Sequence, residues 1–519
     1  MKKNLTIIVI VVIGIFIFLN LLASQAFRRV DLTENNIYSL SDVSKNIAKE
    51  LPDKVIIKAF FSEDLAAPYN NNASYTRDLL DEYRTYSNGN IEYEFINPDK
   101  DEETKNEAMQ YGLQPVQIQA IERDEMSLKR VFMGLVFIYG DKTETIPVVQ
   151  NVNELEYTIS SNLKKLTAEQ IPEVGYATGH GEPDLYSECQ QIQQSLSGQY
   201  KLTPVQLPAQ NGIPENIKTL VIVNPKRQVE EEALAQIDQF LMYGGRLALF
   251  IDNYEVEFET QNSTPLNTGL DKLLDKYGLE LGKNVLADEN SGQIAVSRQM
   301  GNFQMQVPMN YPFLPMINNL NDNHLITEDL ENINLVFASS VSPNGKNENA
   351  DFKWLLKSSE NSQLMQEPFD LNPMSYENPS FAGGPFELAY SAKGSFKSYL
   401  GSGNVGNFQA ARPVKVDSEP TKLTVVGDGD FIVDKYLRNQ ENLVFFQNVV
   451  DWLTSEEGKG LISIRSREVT VRPLEEVESY GMRTFIKYLN ILLPPFIIII
   501  YGIIRWRIRK RRRKMSMEM

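Results

Sequence analysis

The chain has 519 residues, of which 42% are hydrophobic and 23% are charged. At about 150 residues per domain this length predicts roughly three units, and the composition excludes a disordered or low-complexity protein. The single cysteine, Cys189, excludes an intramolecular disulfide, a Cys-x-x-Cys redox pair and a cysteine-rich metal site. Two histidines, His180 and His324, argue against a zinc site, and the net charge of −17 argues against nucleic acid as a partner.

An uncharged stretch, residues 5–23, lies near the amino terminus. At about 1.5 Å per residue it matches the thickness of a bilayer core, which predicts a transmembrane helix. Lys2 and Lys3 before it also fit a signal peptide, but the stretch exceeds the ~7–15 residues of a signal-peptide core. We therefore expect residues 1–26 to be a retained anchor.

Residues 27–167 show patterns of strand and helix in the order β-α-β-α-β-β-β-α. The predicted strands are 54–62, 90–98, 116–121, 131–139 and 143–148, and the predicted helices are 75–86, 102–111 and 154–166. Gly140 and Asp141 fit the turn of a hairpin between the last two strands. The order is similar to a thioredoxin-like fold, although the chain lacks the cysteines of a thiol oxidoreductase.

Residues 168–467 also alternate strands with helices. The predicted strands are 173–178, 218–225 and 246–253, and the predicted helices are 184–197 and 229–245. Such alternation predicts a mostly parallel, doubly wound sheet, so that we expect an α/β fold class for both domains. Residues 254–420 show a less regular pattern of elements, with predicted short strands at 333–340 and 385–392 and a predicted helix after His324. We expect His324 to be a capping or surface residue.

Three loops follow predicted strands of this second sheet, where ligands of doubly wound sheets bind. The third loop closes a further strand pattern, KLTVVGDGD at 422–430. Their candidate ligand-binding residues are Gly179, His180, Gly181, Glu182, Asp252, Asp428 and Asp430. Glycines beside His180 allow a positive φ or a close backbone approach, and a following helix N-terminus would favour an anion. In the alternative interpretation the glycines only form tight turns, and His180, Glu182, Asp428 and Asp430 cap or brace neighbouring backbone.

Other motifs do not predict chemistry. Cys189 falls inside the predicted helix 184–197, whereas an amidotransferase nucleophile needs a strained turn after a strand. The spacing of Asp428, Asp430 and Asp434 does not match an EF-hand loop, so we predict no metal. The GxGxxG pattern at 401–406 lacks a flanking strand and helix, and no GxxxxGK[ST] motif for ATP hydrolysis occurs.

A second apolar stretch, residues 484–504, precedes a basic tail, residues 505–519. Eight of the ten residues 505–514 are Arg or Lys, which predicts a cytoplasmic tail that also contacts anionic membrane lipid. Two spans would place both termini in the cytoplasm and residues 27–467 outside it, with 468–483 as a linker.

Several segments, in order, resemble the GldG family, the auxiliary, substrate-binding-like subunits of gliding-motility-type ABC transporters. They include FRRVDLTENNIYSLSD, GYATGHGEPDL, VVGDGDFIVDKYLRNQENLVFFQNVVDW and the terminal LNILLPPFIIIIYGII with its basic tail. The resemblance covers nearly the whole chain. It implies an inner-membrane protein with a periplasmic region, an ABC permease and a cytoplasmic ATPase as partners, and a second domain similar to the class I glutamine-amidotransferase-like fold. It does not imply a ligand or a role in gliding.

Three functional hypotheses follow. The first is a non-enzymatic transporter subunit, without cofactor, whose region between the anchors binds a ligand or couples to envelope proteins. The second is an envelope hydrolase or amidotransferase-like enzyme that uses His180 and Glu182 with a nucleophile from elsewhere. The third is a scaffold or sensor in which the first domain is a protein-binding module.

Overall fold

The computed structural model describes residues 39–465, with gaps at 64, 68, 123–124, 169, 259, 301–302, 402–411, 438, 456–460 and 463, together with residues 487, 501–502 and 505–507. The chain divides into two compact units, residues 1–470 and 471–519. The sheets described below belong to the first unit. Most of the GxGxxG pattern at 401–406 lies outside the described residues.

In the amino-terminal part of the first unit, the described residues form six strands and four α-helices. The strands are β1 Val55–Phe61, β2 Ile91–Ile96, β3 Val116–Glu122, β4 Glu125–Val131, β5 Met133–Tyr139 and β6 Lys142–Ile146. The α-helices are α1 Asp42–Lys49, α2 Asn72–Tyr86, α3 Glu102–Gln110 and α4 Leu155–Thr167, with 3₁₀ turns at Tyr69–Asn71 and Val152–Glu154.

These strands form a four-stranded sheet in the order β2-β1-β5-β6, while β3 and β4 pair separately. β1 is parallel to β2 and antiparallel to β5, and β5 is antiparallel to β6. The predicted hairpin between β5 and β6 is confirmed, and Gly140 takes a φ of 56° at its turn. Val55, Ile57 and Ala59 of β1 are fully buried against the helices, because alternate side chains of a strand share one face.

The larger part of the unit contains the remaining elements. Its strands are β7 Glu173–Thr178, β8 Lys201–Gln206, β9 Ile217–Val223, β10 Arg246–Phe250, β11 Tyr254–Glu257, β12 Asn262–Pro265, β13 Leu279–Leu281, β14 Val285–Asp288, β15 Ser291–Met300, β16 Phe303–Ile317, β17 Asn319–Leu320, β18 Ile333–Asn334, β19 Val341–Pro343, β20 Ala350–Lys357, β21 Ser362–Met365, β22 Glu387–Gly394 and β23 Thr421–Val426. Its α-helices are α5 Gln190–Leu196, α6 Glu231–Met242, α7 Asp271–Tyr277 and α8 Gln440–Thr454, with 3₁₀ turns at Pro373–Tyr376 and Asp430–Ile432.

Eight of these strands form one sheet in the order β17-β20-β22-β23-β10-β9-β7-β8. The five strands from β23 to β8 are parallel, whereas β17, β20, β22 and β23 pair antiparallel. Val221 and Phe250 pack on one face with α5 and α8, and Leu220 and Leu249 pack on the other face with α6 and α7. Helices on both faces bury the parallel strands, as their continuous apolar sequence predicts.

Two predicted helices differ from the structure. The helix predicted at 184–197 begins only at Gln190, because the Asp184 carboxylate accepts the N–H groups of Tyr186 and Ser187 and holds a turn there. Cys189 is therefore the residue before the helix and not inside it. The segment after His324 forms turns instead of a helix. His324 is buried, and its Nδ1 accepts the N–H of Ile326 within a turn, so it braces local backbone without capping a helix, and the surface position is wrong.

The predicted membrane topology needs a correction. Among the residues that the structure describes, no helix has the length and apolar character required to cross a membrane. The longest described helices, α2 and α8, have 15 residues each, against the ~20 that a bilayer requires. The stretch 5–23 and nearly all of 484–504 lie outside the described residues. The structure thus does not support the two-pass inner-membrane arrangement with cytoplasmic termini and a periplasmic domain, and we withdraw that prediction.

Candidate functional site

The carboxyl ends of β7, β9, β10 and β23 meet at one edge of the large sheet, because these strands are parallel neighbours. The loops that follow them carry all of the predicted site residues: Gly179, His180, Gly181, Glu182, Asp252, Asp428 and Asp430. The loop after β9 adds Asn224, Lys226 and Glu230, which the sequence reading missed. This loop follows the buried strand β9, so the expectation that ligands bind at the carboxyl ends of parallel strands also identifies it.

Five polar residues at this edge lie in contact: Asn224, Lys226, Asp252, Asp428 and Asp430, which we call the aspartate cluster. Asp252 Oδ1 accepts the Gly429 N–H at 2.7 Å, and its Oδ2 lies 3.5 Å from Lys226 Nζ. Asp430 Oδ1 lies 3.7 Å from the same ammonium and accepts a hydrogen bond from Asn224 Nδ2 at 2.5 Å. Lys226 thus bridges the loops after β10 and β23.

Asp428 has a structural role within the aspartate cluster. Its Oδ1 accepts the N–H groups of Asp430 and Phe431 at 2.8 and 3.2 Å, and its Oδ2 accepts the Val336 N–H at 2.5 Å. These contacts cap the 3₁₀ turn Asp430–Ile432 and tie it to the segment after β18. The geometry agrees with the alternative interpretation of Asp428 as a capping residue.

Asp252 and Asp428 of the aspartate cluster are buried, and repulsion between the neighbouring carboxylates disfavours their charged forms. Burial, with repulsion from Asp430, raises the pKa of Asp252 to about 7, against the attraction of Lys226. Burial, with repulsion from Asp252, raises the pKa of Asp428 well above its ordinary value. Burial disfavours the charged Lys226, but Asp252, Asp430 and Glu255 outweigh that effect and raise its pKa. The cluster therefore combines a fixed cation with a carboxyl group that titrates near neutral pH.

Two atoms of the aspartate cluster have unused hydrogen-bonding capacity. Asn224 Oδ1 is buried and accepts no hydrogen bond from the described residues, and the buried Asp252 Oδ2 has the Lys226 ammonium at 3.5 Å as a long ion pair. A buried acceptor left without a donor costs about 1–3 kcal/mol. Both atoms belong to loops at the open edge of the sheet, where Lys226 and Asp430 remain 24% and 21% exposed. The site can accordingly accept N–H or O–H donors from a molecule that reaches this edge.

His180 braces the loop after β7 against the loop after β9. Its Nε2 lies 2.5 Å from Glu230 Oε2, and its Nδ1 lies 3.4 Å from Glu182 Oε1. Its carbonyl accepts the N–H groups of Lys226 and Arg227 at 3.0 and 2.8 Å. Hydrogen bonding to Glu182 and Glu230, against the effect of burial, raises the pKa of His180. The buried ring is thus held between two carboxylates.

The region that carries this site matches a known protein family. Residues 171–455 match the sequence model of a family described as "ABC-type uncharacterized transport system". The chain belongs to this family. The match spans β7 to α8, so it contains both the aspartate cluster and His180. Membership shows a role associated with ABC transport, and it leaves the narrower resemblance to the GldG family without confirmation.

Further comparisons extend to the rest of this transport-system protein. Residues 34–138 match a domain of unknown function. An uncharacterized protein of Borreliella burgdorferi is 24% identical over 525 residues, which cover 98% of this chain and 97% of the relative. A solved structure described as "mmIFT52 N-terminal domain" matches with 13% identity and a TM-score of 0.34, covering 55% of this chain and 97% of that one.

The glycines beside His180 are required by the backbone of this family member. Gly179 takes a φ of 126°, and a Cβ there would lie 2.5 Å from the Leu207 carbonyl oxygen. Gly181 takes a φ of 85°, and a Cβ there would lie 3.2 Å from the Lys226 Cβ. The predicted positive φ and close backbone approach are both confirmed. They bring the loop after β7 close to Lys226.

The components of an amidotransferase-type triad are not brought together. Cys189 Sγ contacts Tyr176 Oη at 3.9 Å, whereas His180 contacts Glu182 and Glu230. Burial raises the pKa of the Cys189 thiol to about 12, so it is not a ready nucleophile. Among the described residues, no group of three or more His, Cys, Asp or Glu side chains could hold a metal ion.

Two surface cavities lie away from the aspartate cluster, beside the amino end of β9. One of about 420 Å³ is lined by Ile213, Gln239, Tyr243 and Arg412 among others, and one of about 510 Å³ runs beside β8 and the loop after it. The amides of Gln236 and Gln239, which line the first cavity, are bonded to Ala209 and Lys415 backbone. Their polar groups are satisfied within the protein, unlike those of the aspartate cluster.

A pH titration tests the brace formed by His180. Because its pKa is raised on folding, His180 stabilises the protein fully below its unfolded-state pKa of about 6.5, and the contribution disappears as the pH rises through the folded-state pKa. We expect the free energy of unfolding to fall as the pH rises above about 6.5. Urea unfolding of the wild type and of His180→Asn measures the slope, which the variant should flatten.

His324 supplies the control for this titration. Burial lowers the pKa of His324 to about 4, so its protonation affects stability only below about pH 6.5. His324→Gln should therefore change the overall stability without changing the slope at higher pH. Parallel slopes for the wild type and His180→Asn would contradict the assignment to His180.

Proposed function

We propose that the chain is a non-catalytic auxiliary subunit of an ABC transport system that binds a ligand or a partner protein through the aspartate cluster. The observation that carries this proposal is the buried acceptor Asn224 Oδ1, which has no donor among the described residues and lies beside the ion pair of Asp252 and Lys226. A buried hydrogen-bond acceptor at this position favours a ligand group that bears N–H or O–H bonds. The matched family region, residues 171–455, contains all three residues and supports the assignment.

The transport partners in this proposal are an ABC permease and a separate ATPase. The sequence has no GxxxxGK[ST] motif, so ATP hydrolysis through a P-loop would have to come from another chain. The GldG-like segments quoted above support the narrower assignment to that type of subunit. The geometry of Cys189 and His180 supports a non-catalytic role, since the two side chains contact different partners.

The domain assignment is part of the same proposal. We propose that residues 27–167 form a thioredoxin-like domain and residues 168–467 an amidotransferase-like domain. The sheet order β2-β1-β5-β6 supports the first. The parallel strands from β23 to β8, covered by helices on both faces, support the second.

Affinity purification of the tagged full-length chain tests the proposal. Mass spectrometry of the wild-type preparation should identify a permease and an ATPase, and Asp252→Asn should reduce ligand recovery or transport by about tenfold or more. The substitution keeps an acceptor for the Gly429 N–H, removes the charge that faces Lys226, and places a donor where a ligand donor would bind.

Glu419→Gln is the matched control, because it removes a carboxylate whose side chain is 84% exposed. It should leave both the recovered partners and the ligand unchanged. Absence of permease and ATPase from the wild-type preparation would contradict the transporter assignment. Equal ligand recovery from Asp252→Asn and Glu419→Gln would contradict the role of the aspartate cluster.

A further inference from the structure

Strands β15 and β16 form a long antiparallel hairpin, which we call the ribbon. The last residues of β16, Met316 and Ile317, pair with β18, and Tyr311 and Phe313 lie in an aromatic core at this end. From residue 293 outward, β15 pairs only with β16 among the strands that the structure describes. The ribbon therefore presents strand edges that the described part of the chain leaves uncovered.

The composition of the ribbon differs from that of the chain around it. Residues 291–317 contain one charged residue, Arg298, and no Asp or Glu, whereas 23% of the whole chain is charged. Arg298 is itself paired with Glu377 at 3.0 Å. Exposed edge strands of soluble proteins are usually protected from other strands by charged side chains. The ribbon lacks this protection.

Proline protects only one of the two edges. β16 contains Pro308, Pro312 and Pro315, whereas β15 contains none. Pro308 stands opposite Ala295 and has no N–H, so this pair takes a non-hydrogen-bonded position. The N–H and C=O groups of Ala295 therefore point away from β16. By the two-residue period of a strand, those of Gln293 and Ser297 also point to the outer edge of β15.

The side chains along this edge are small or neutral. Gln293, Ala295, Ser297 and Gln299 are exposed on one face of the ribbon. Two of them are fixed by bonds to β16: Gln293 Nε2 donates to Asn310 Oδ1 at 3.1 Å, and Ser297 Oγ accepts from Gln306 Nε2 at 2.8 Å. An ordered edge loses less conformational entropy when another strand pairs with it.

We propose that β15 pairs with β15 of a second copy of this chain, in an antiparallel, two-fold arrangement that joins two ribbons into a four-stranded sheet. The edge is complementary to itself, since its exposed side chains are neutral and its backbone carries both donors and acceptors, which favours a second copy as the occupant. Charge selects the surface, because two chains of net charge −17 repel each other and can best approach where acidic residues are absent. A two-fold axis across one edge strand satisfies its outward N–H and C=O groups with their own counterparts.

The ribbon is also connected to the aspartate cluster. The N–H groups of Leu335 and Phe337 donate to the carbonyls of Pro315 and Phe313 in β16 at 2.9 Å, and the Val336 N–H between them donates to Asp428. Pairing of two ribbons would therefore fix a segment that also positions the loop after β23. The dimer itself does not depend on the proposed ligand.

Sedimentation of the purified full-length chain tests the pairing. We expect a dimer for the wild type and an apparent dissociation constant at least about tenfold higher for Ala295→Asp, which puts one added carboxylate per chain at the shared edge. Met305→Asp is the matched control, because Met305 is 51% exposed and lies on β16. It should dimerise like the wild type.

Cross-linking gives a second measurement that does not depend on affinity. Cys189 is buried, so a thiol introduced by Ala295→Cys should be the group that reacts with a short thiol cross-linker and joins two copies. A monomeric wild type, equal dissociation constants for Ala295→Asp and Met305→Asp, or a cross-link to a different protein would each overturn the proposal. Circular dichroism verifies that each variant is folded.

Discussion

Replacing Arg465 with methionine is expected to lower the free energy of unfolding by about 3–5 kcal/mol. Arg465 Nη2 lies 2.8 Å from Asp451 Oδ2, and the two side chains are 4% and 0% exposed. Without the guanidinium, the buried Asp451 carboxylate would retain the hydrogen bond from Tyr200 Oη but lose its counterion. Urea unfolding of the full chain, followed by circular dichroism, measures the loss.

The same variant should weaken the connection between helices α4 and α8. Arg465 Nη1 donates to Asn448 of α8 at 3.0 Å, and Nη2 donates to Tyr157 of α4 at 3.1 Å. Hydrogen exchange in α4 should therefore become faster. The double variant Arg465→Met with Asp451→Asn removes both charges and should recover part of the stability. A loss below about 1 kcal/mol in the single variant would show that the pair behaves like an exposed one.

Replacing Asp428 with alanine is expected to lower the free energy of unfolding by about 3 kcal/mol or more. The carboxylate accepts the N–H groups of Val336, Asp430 and Phe431, and a buried donor without a partner costs about 1–3 kcal/mol. The substitution should also reduce ligand binding at the aspartate cluster, because Asp428 positions the turn that carries Asp430. Thermal unfolding and ligand recovery measure the two effects.

Asp428→Asn distinguishes hydrogen bonding from charge at this position. Its amide oxygen can still accept the Asp430 and Phe431 N–H groups, while its NH₂ would face the Val336 N–H. We expect a loss of stability smaller than that of Asp428→Ala, because fewer backbone donors lose their acceptor. Equal losses for the two variants would indicate that the negative charge, and not the set of acceptors, stabilises the loop.

Local sequence patterns predicted most of the central strands. Apolar runs correspond to β1, β9 and β10, because the apolar residues of a strand are neighbours in the sequence and can be recognised before it is known which helices cover them. Helix α5 was harder to predict, since the N–H groups of Gln190 and Gln191 at its start donate to Asp434. Because Asp434 is far away in the sequence, the residues around α5 do not indicate where the helix begins.

The sequence by itself determined which loops follow strands, and hence that Asp252, Asp428, Asp430 and His180 lie at one edge of a sheet. The tertiary structure alone decided their roles, because burial and partners depend on residues far along the chain. It placed Lys226 against Asp252 and Asp430, His180 between Glu182 and Glu230, and Asp428 under the Val336 N–H. Strand order sets these distances, and long-range packing determines strand order.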